Sequence, residues 1–196
     1  MSDEVQLERI KRNWEMFVNL CHRLSDDALN RLIESFGDRA IMCPASPRLD
    51  QYGAEPGGMV SHVLQVTSIM RTLNDALEMN LPVASILKVG LLHDLGKVGD
   101  LEFNYFIDQD SDWHREKLGQ VYKYNENITK VSVSHRSLFL LQHFGVKLSN
   151  DEWLAIQLAQ GSHFEENRFY VGHEPSLALL LQQAKQQVIH QVRNSK

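Results

Sequence analysis

The chain is poor in cysteine. It has 2, Cys21 and Cys43, and no Cys-x-x-Cys pair. That excludes a disulfide framework and leaves two free thiols in a reducing compartment as the expectation. It also lacks a basic excess: 20 Lys and Arg stand against 25 Asp and Glu, a formal net charge of −5. No global positive field draws nucleic acid, although a local basic pocket stays open. No apolar run approaches the ~20 residues of a membrane span, so no membrane partner is expected. The start, Met1-Ser2-Asp3-Glu4, is acidic and unlike a signal peptide, and a cytoplasmic location is expected. Internal repeats and low-complexity segments are missing too. What is present is ordinary for a globular domain: 43% hydrophobic and 23% charged residues over 196 positions are enough for a real core.

Apolar periodicity predicts helices along most of the chain. Residues 4–24 carry Leu7, Ile10, Trp14, Phe17, Val18 and Cys21 at spacings of three and four. Ser25 is placed to cap a second helix that Gly37 would end. Residues 1–37 are therefore read as an N-terminal helical extension packed on a domain of residues 38–196. The apolar helix near the N-terminus could also pack against a second subunit, giving a homo-oligomer. A loop rich in Pro, Gly and Ser follows, ending in Gly57-Gly58. Residues 59–79 form a strongly amphipathic helix with His62 beside its apolar stripe. After a short turn, residues 82–95 form another. A short link makes these two antiparallel neighbours, so His62 and His93 fall at the same end. Residues 101–106 and 120–124 could be two short strands forming a hairpin. Later helices are expected over residues 128–144, from the capping box at Ser149-Asn150-Asp151-Glu152 to Ala159, and over residues 176–192.

Chemistry concentrates in Gly90-Leu91-Leu92-His93-Asp94-Leu95-Gly96-Lys97. An apolar helix ends in an imidazole beside a carboxylate. Successive residues on a helix diverge by about 100°, so the two side chains can straddle one ion but not enclose it. His62, on the neighbouring helix, is the natural third ligand. Nitrogen and carboxylate donors suit a divalent metal, and Lys97 puts a cation where a phosphate on that metal would lie. Between the two short strands, Trp113-His114-Arg115 fits a phosphate or stacked-base contact, or equally a solvated loop.

His62, His93-Asp94 and Leu95-Gly96-Lys97 together resemble the HD-domain superfamily of metal-dependent phosphohydrolases, over roughly residues 40–190. The resemblance implies an all-α helical bundle, here with a small β-hairpin insertion near the site. It also implies a divalent ion (Mn, Fe, Co, Ni, Zn or Mg) held by His62, His93 and Asp94. Cys43-Pro44-Ala45-Ser46 and the later Gly-Gly are similar to the segment that precedes the first ligand in bacterial HD exonucleases. The region Ser134-His135-Arg136 resembles a later histidine helix, which would make His135 a ligand of a second metal or a phosphate contact. Asp94 and Lys97 are the candidate catalytic residues. Lys97, His114, Arg115, Arg136 and His163 are the candidate substrate contacts. The expected substrate is a small phosphorylated molecule, a nucleotide, or else a nucleic-acid 3′ end.

The sequence departs from the family at two places. Where relatives carry His followed by Asp-Gly or Met-Gly stand Ala159, Gln160 and Gly161. Where they end the ligand set with an aspartate after an alanine, Ala184 is followed by Lys185. Either another group closes the shell, His163 first among Glu165, Glu166, His173 and Glu174, or metal binding is weakened. Relatives that cut deoxynucleotides have a glutamate where Lys97 stands. Two functions follow: a phosphohydrolase working through a metal-activated water, or a degenerate HD domain that binds a nucleotide, a nucleic-acid end or a protein partner without hydrolysis.

Overall fold

The structure, a computed structural model, describes residues 3–161 and 164–194. Helix α1 (Asp3–His22) buries Ile10, Phe17 and Cys21 on one face, with Trp14 stacked on Phe17 at 5.4 Å. Helix α2 (Asp27–Met42) is capped by Asp26, whose carboxylate accepts from the Ala28 and Leu29 amides; Ser25 sits before it at φ 51°. The helix does not stop at Gly37 but runs one turn and more beyond it. Trp14 lies over that glycine, 3.5 Å from where a Cβ would be, so packing overrides the local breaker. Phe17, Cys21, Leu29, Leu32 and Phe36 join the same apolar cluster as the later helices.

The centre of the fold is the pair α3 (Gly58–Ala76) and α4 (Val83–Leu92). Their contacts run in opposite senses, His62 facing His93 and Thr67 facing Gly90, so the antiparallel pairing expected from the short link is present. Gly90 sets the closeness: a Cβ there would lie 2.5 Å from Thr67 Oγ1. At the entry to α3, Gly57 adopts φ 76°, and a Cβ on Gly58 would meet the Gly53 carbonyl oxygen at 2.1 Å. The two glycines thus fold loop 43–57 back against the first turn of α3.

Downstream, strands β1 (Phe106–Asp108) and β2 (Tyr122–Tyr124) pair antiparallel, with Phe106 opposite Tyr124. The first expected strand is displaced. The Asp100 side chain accepts from the Glu102 and Phe103 amides at 3.0 and 2.8 Å and curls residues 100–103 into a turn. The stretch expected as a loop between the strands contains a short helix, α5 (Asp112–Leu118), capped by Ser111 and ended by Gly119 at φ 58°. Helix α6 (Val133–Phe144) starts later than its apolar residues suggested, because Ser132 caps it. The capping box Ser149–Glu152 opens α7 (Asn150–Gln157) as expected, and a 3₁₀ turn continues it to Gln160. Helix α8 (Ser176–Asn194) closes the bundle with Leu177, Leu180, Leu181, Ala184 and Val188 buried against the other helices. No helix among the described residues is long and apolar enough to cross a membrane. The architecture is a helical bundle with one small hairpin.

Candidate metal centre

Three elements deliver the centre. The glycine entry to α3 places His62 at the start of its second turn. Helix α4 ends at Leu92, so His93 caps it and Asp94 leads into the 3₁₀ turn Leu95–Lys97. That turn is fastened to α6 through Ser137, whose Oγ accepts from the Gly96 amide at 2.8 Å and lies 3.1 Å from the His93 carbonyl oxygen. A side chain on Gly96 would lie 2.3 Å from the Val133 carbonyl oxygen, so only glycine lets α6 approach this closely.

One donor atom from each of His62, His93 and Asp94 lies within 4.8 Å of the others, and all three residues are buried. His62 Nε2 and His93 Nε2 stand 3.8 and 3.7 Å from Asp94 Oδ2. Both nitrogens are buried and neither has a hydrogen-bond partner. His93 Nδ1 lies 2.9 Å from the Gly90 carbonyl oxygen, which can only accept. That fixes the proton on Nδ1 and leaves Nε2 with a lone pair turned toward Asp94. Burial holds both imidazoles neutral: it pushes His62 well below its usual range and His93 down to about 4, against the opposing pull of Asp94. Two neutral imidazoles, that of His93 with its Nε2 lone pair free, beside a carboxylate oxygen fit a divalent ion. Unsatisfied buried acceptors of this kind are costly to maintain, on the order of 1–3 kcal/mol each.

The rest of the centre is cationic. Lys97 Nζ donates to Asp94 Oδ2 at 2.7 Å and lies 3.2 Å from the Tyr52 hydroxyl. Lys185 Nζ approaches Asp94 Oδ1 at 3.6 Å while donating to the Ala159 carbonyl oxygen at 2.8 Å. Gln160 Nε2 donates to the same Oδ1 at 3.1 Å. Burial alone would push the Asp94 carboxyl up. Lys185 and Lys97 outweigh it and hold the group well below the usual carboxylate range. Burial also tends to lower the Lys97 ammonium, and the Asp94 carboxylate outweighs it, so Lys97 stays charged. The Tyr52 ring packs 4.4 Å from the His62 ring and closes the near side.

Asp94 and His93 have no solvent exposure. A cleft of about 360 Å³ nevertheless reaches the outer face of the centre. Its floor includes Lys97, Tyr52 and Gln160, and its walls carry Tyr105, Phe106, Tyr124 and Phe164. Lys97 is the cationic side chain among the residues that line it.

Of the candidate site residues named from the sequence, the structure gathers His62, His93, Asp94 and Lys97, and it brings Lys185, marked there as a departure, to 3.6 Å from Asp94. The other candidates among the described residues lie elsewhere. The side chain of His135 is 46% exposed on α6, with Nδ1 3.0 Å from Ser132 Oγ and 3.9 Å from Glu166. Arg136 is buried and donates to the carbonyl oxygens of Gly96, Thr129 and Val131 while stacking 4.7 Å over Tyr105. Its guanidinium is engaged in holding the turn against the hairpin. Both residues line a different cavity, with Leu101, Phe103 and Phe139. His114 and Arg115 sit on α5, the first held to Ser111 Oγ at 2.8 Å and the second donating to the Gln109 carbonyl oxygen. His163 lies outside the described residues. Sequence reasoning gave no role to Tyr52 or to Gln160. Gln160 was visible only as a departure from the family pattern, and nothing in one sequence shows that its amide turns toward Asp94.

The family model described as HD domain matches residues 59–184. The match begins at the first turn of α3 and ends in α8, and so spans every residue of the buried cluster. No curated protein and no solved structure matches the chain significantly.

Proposed function

The chain belongs to the HD-domain family, and from that premise we propose that it is a metal-dependent phosphohydrolase acting on a small phosphate ester, a nucleotide being the best fit. The observation that carries this reading is the pair of buried, partnerless Nε2 atoms facing Asp94. His62, His93 and Asp94 would hold the divalent ion. When bound, such an ion lowers the pKa of a coordinated water and polarises a phosphoryl oxygen. Lys97, at the floor of the cleft, holds a positive charge against the phosphate, and Tyr52 fixes its ammonium from the other side. Tyr124, 55% exposed on the cleft wall, offers a flat face for a base, which is why a nucleotide is favoured over an aliphatic ester. Residues 1–37 are an extension that buttresses this domain in the same proposal.

The test combines metal analysis with hydrolysis. Protein supplied with a divalent metal and a nucleoside monophosphate is expected to bind one ion per chain and to release inorganic phosphate. The His93→Ala variant is expected to lose both while its circular dichroism is unchanged. Undiminished phosphate release in that variant would refute the reading.

Lys185 favours a second reading, a domain that binds its ligand without cutting it. An ammonium stands where relatives are expected to carry a ligating aspartate, and Gln160 and Lys97 complete the cover over Asp94. Protein that takes up no metal even with a nucleotide present, yet binds that nucleotide through the cleft, would select this alternative.

A further inference from the structure

The fixed charge of the centre is the starting point. The Asp94 carboxylate is faced by two ammonium groups, Lys97 at 2.7 Å and Lys185 at 3.6 Å, and by two imidazoles that burial keeps neutral. The fully buried centre is therefore already positive before any ion enters. The two lysines are not equivalent. Lys97 touches Oδ2 and Tyr52 and forms part of the cleft floor. Lys185 faces Oδ1, is anchored to the Ala159 carbonyl oxygen, and lines none of the cavities described here. Among the described residues, its ion-pair partner is Asp94. It therefore acts on the centre and not on the cleft.

We propose that Lys185 is a tethered counter-cation that makes loading of the centre by a divalent ion conditional on a phosphate dianion in the cleft. This rests on the reading of His62, His93 and Asp94 as an ion site. A divalent ion alone must enter beside two ammonium groups that share the one carboxylate, in a medium that screens charge poorly. A phosphate that enters with it, through the cleft floored by Lys97, cancels that excess. Linkage then requires the two ligands to strengthen each other by the same factor. The centre takes up metal and phosphate group together, as a pair of opposite charge, and Lys185 sets how strongly they depend on each other.

The experiment uses the full chain, freed of divalent ions with a chelator and titrated with Mn²⁺ by electron paramagnetic resonance. Titrations are run without and with saturating methylphosphonate, a dianion with the headgroup of a phosphate ester that cannot be hydrolysed. Wild-type protein is expected to bind Mn²⁺ about tenfold more tightly, or better, with methylphosphonate present. Lys185→Met is expected to bind Mn²⁺ more tightly on its own and to lose most of that dependence. Pairing of Mn²⁺ with methylphosphonate in free solution is the same for both proteins and cancels in the comparison. Equal Mn²⁺ affinity with and without methylphosphonate in the wild type overturns the proposal and leaves the ion site standing. The same dependence in Lys185→Met as in wild type overturns the role of Lys185. No Mn²⁺ binding by either protein under any condition overturns the ion site itself. The wild-type titrations decide the main point even if the variant does not fold.

Discussion

Asp94→Asn in protein stripped of divalent ions is the sharpest probe of the buried charges. Asp94 is fully buried and interacts with Lys97 at 2.7 Å, Lys185 at 3.6 Å and Gln160 at 3.1 Å. At an effective dielectric of about 20, the two ion pairs correspond to gross attractions of about 6 and about 5 kcal/mol. The native protein sets these against the cost of dehydrating three charges. The variant keeps the dehydration of both lysines and loses the attraction. Its new amide also turns an N–H toward one of the ammonium groups. Removing one partner of a buried pair commonly costs 3–5 kcal/mol, and a loss of about that size is expected here. Against a typical total stability of about 5–15 kcal/mol, that is a large fraction. Urea unfolding followed by far-ultraviolet circular dichroism reads it as a fall in midpoint with an unchanged slope. Adding Lys185→Met to the variant removes one stranded charge and is expected to return about 1 kcal/mol or more. A loss below about 1 kcal/mol in the single variant, or further weakening in the double, would refute the idea that Asp94 holds the two cations in place.

Three further outcomes are expected. Glu152 accepts from the Ser149 amide at 2.9 Å and pairs with Lys88 at 3.1 Å; burial raises its carboxyl, and these partners together with Ser85 outweigh that and hold it below its ordinary value. Its contribution is complete above the unfolded-state value near 4.3 and is lost as pH falls through the lower folded value, so stability measured by urea unfolding should decline less steeply below that pH in Glu152→Gln. Cys21 and Cys43 are buried, and burial pushes both thiols up to about 12. A disulfide reagent at pH 8 should leave both unmodified in native protein and label both in denaturant, whereas rapid native labelling would contradict their placement. Gly96→Ala puts a methyl group 2.3 Å from the Val133 carbonyl oxygen and should destabilise the fold by about 1–3 kcal/mol, seen as a lower thermal midpoint.

How much of this was legible in the sequence depends on the kind of signal. The α3–α4 pair was readable because both helices carry an unbroken apolar stripe and the link between them is short. That pairing alone brings His62 to His93 and Asp94. Lys185 was readable as a departure, but its distance from Asp94 depends on how α8 packs, which no spacing within α8 records. The hairpin was readable only in outline. Phe103 and Tyr105 look like strand residues, yet the Asp100 carboxylate captures two backbone amides and bends the chain before pairing can begin. Helix α5 was hidden for a different reason: its residues 112–118 form two turns with no buried face to impose a period. Arg136 illustrates the remaining limit. A guanidinium beside a histidine suggests a phosphate contact, but three backbone carbonyl groups use it first.

The last helix has a consequence for synthesis. Lys97 follows Asp94 by three positions, but Lys185 lies on α8, far later in the chain. At a translation rate of roughly 5–20 residues per second, several seconds pass between the emergence of the carboxylate and that of its distant lysine. During that interval the nascent bundle lacks both α8's apolar face and one of its two internal cations. Ribosome-bound chains halted before α8 should therefore be easy targets for proteases and chaperones, and resistance should arrive in one step when that final segment docks.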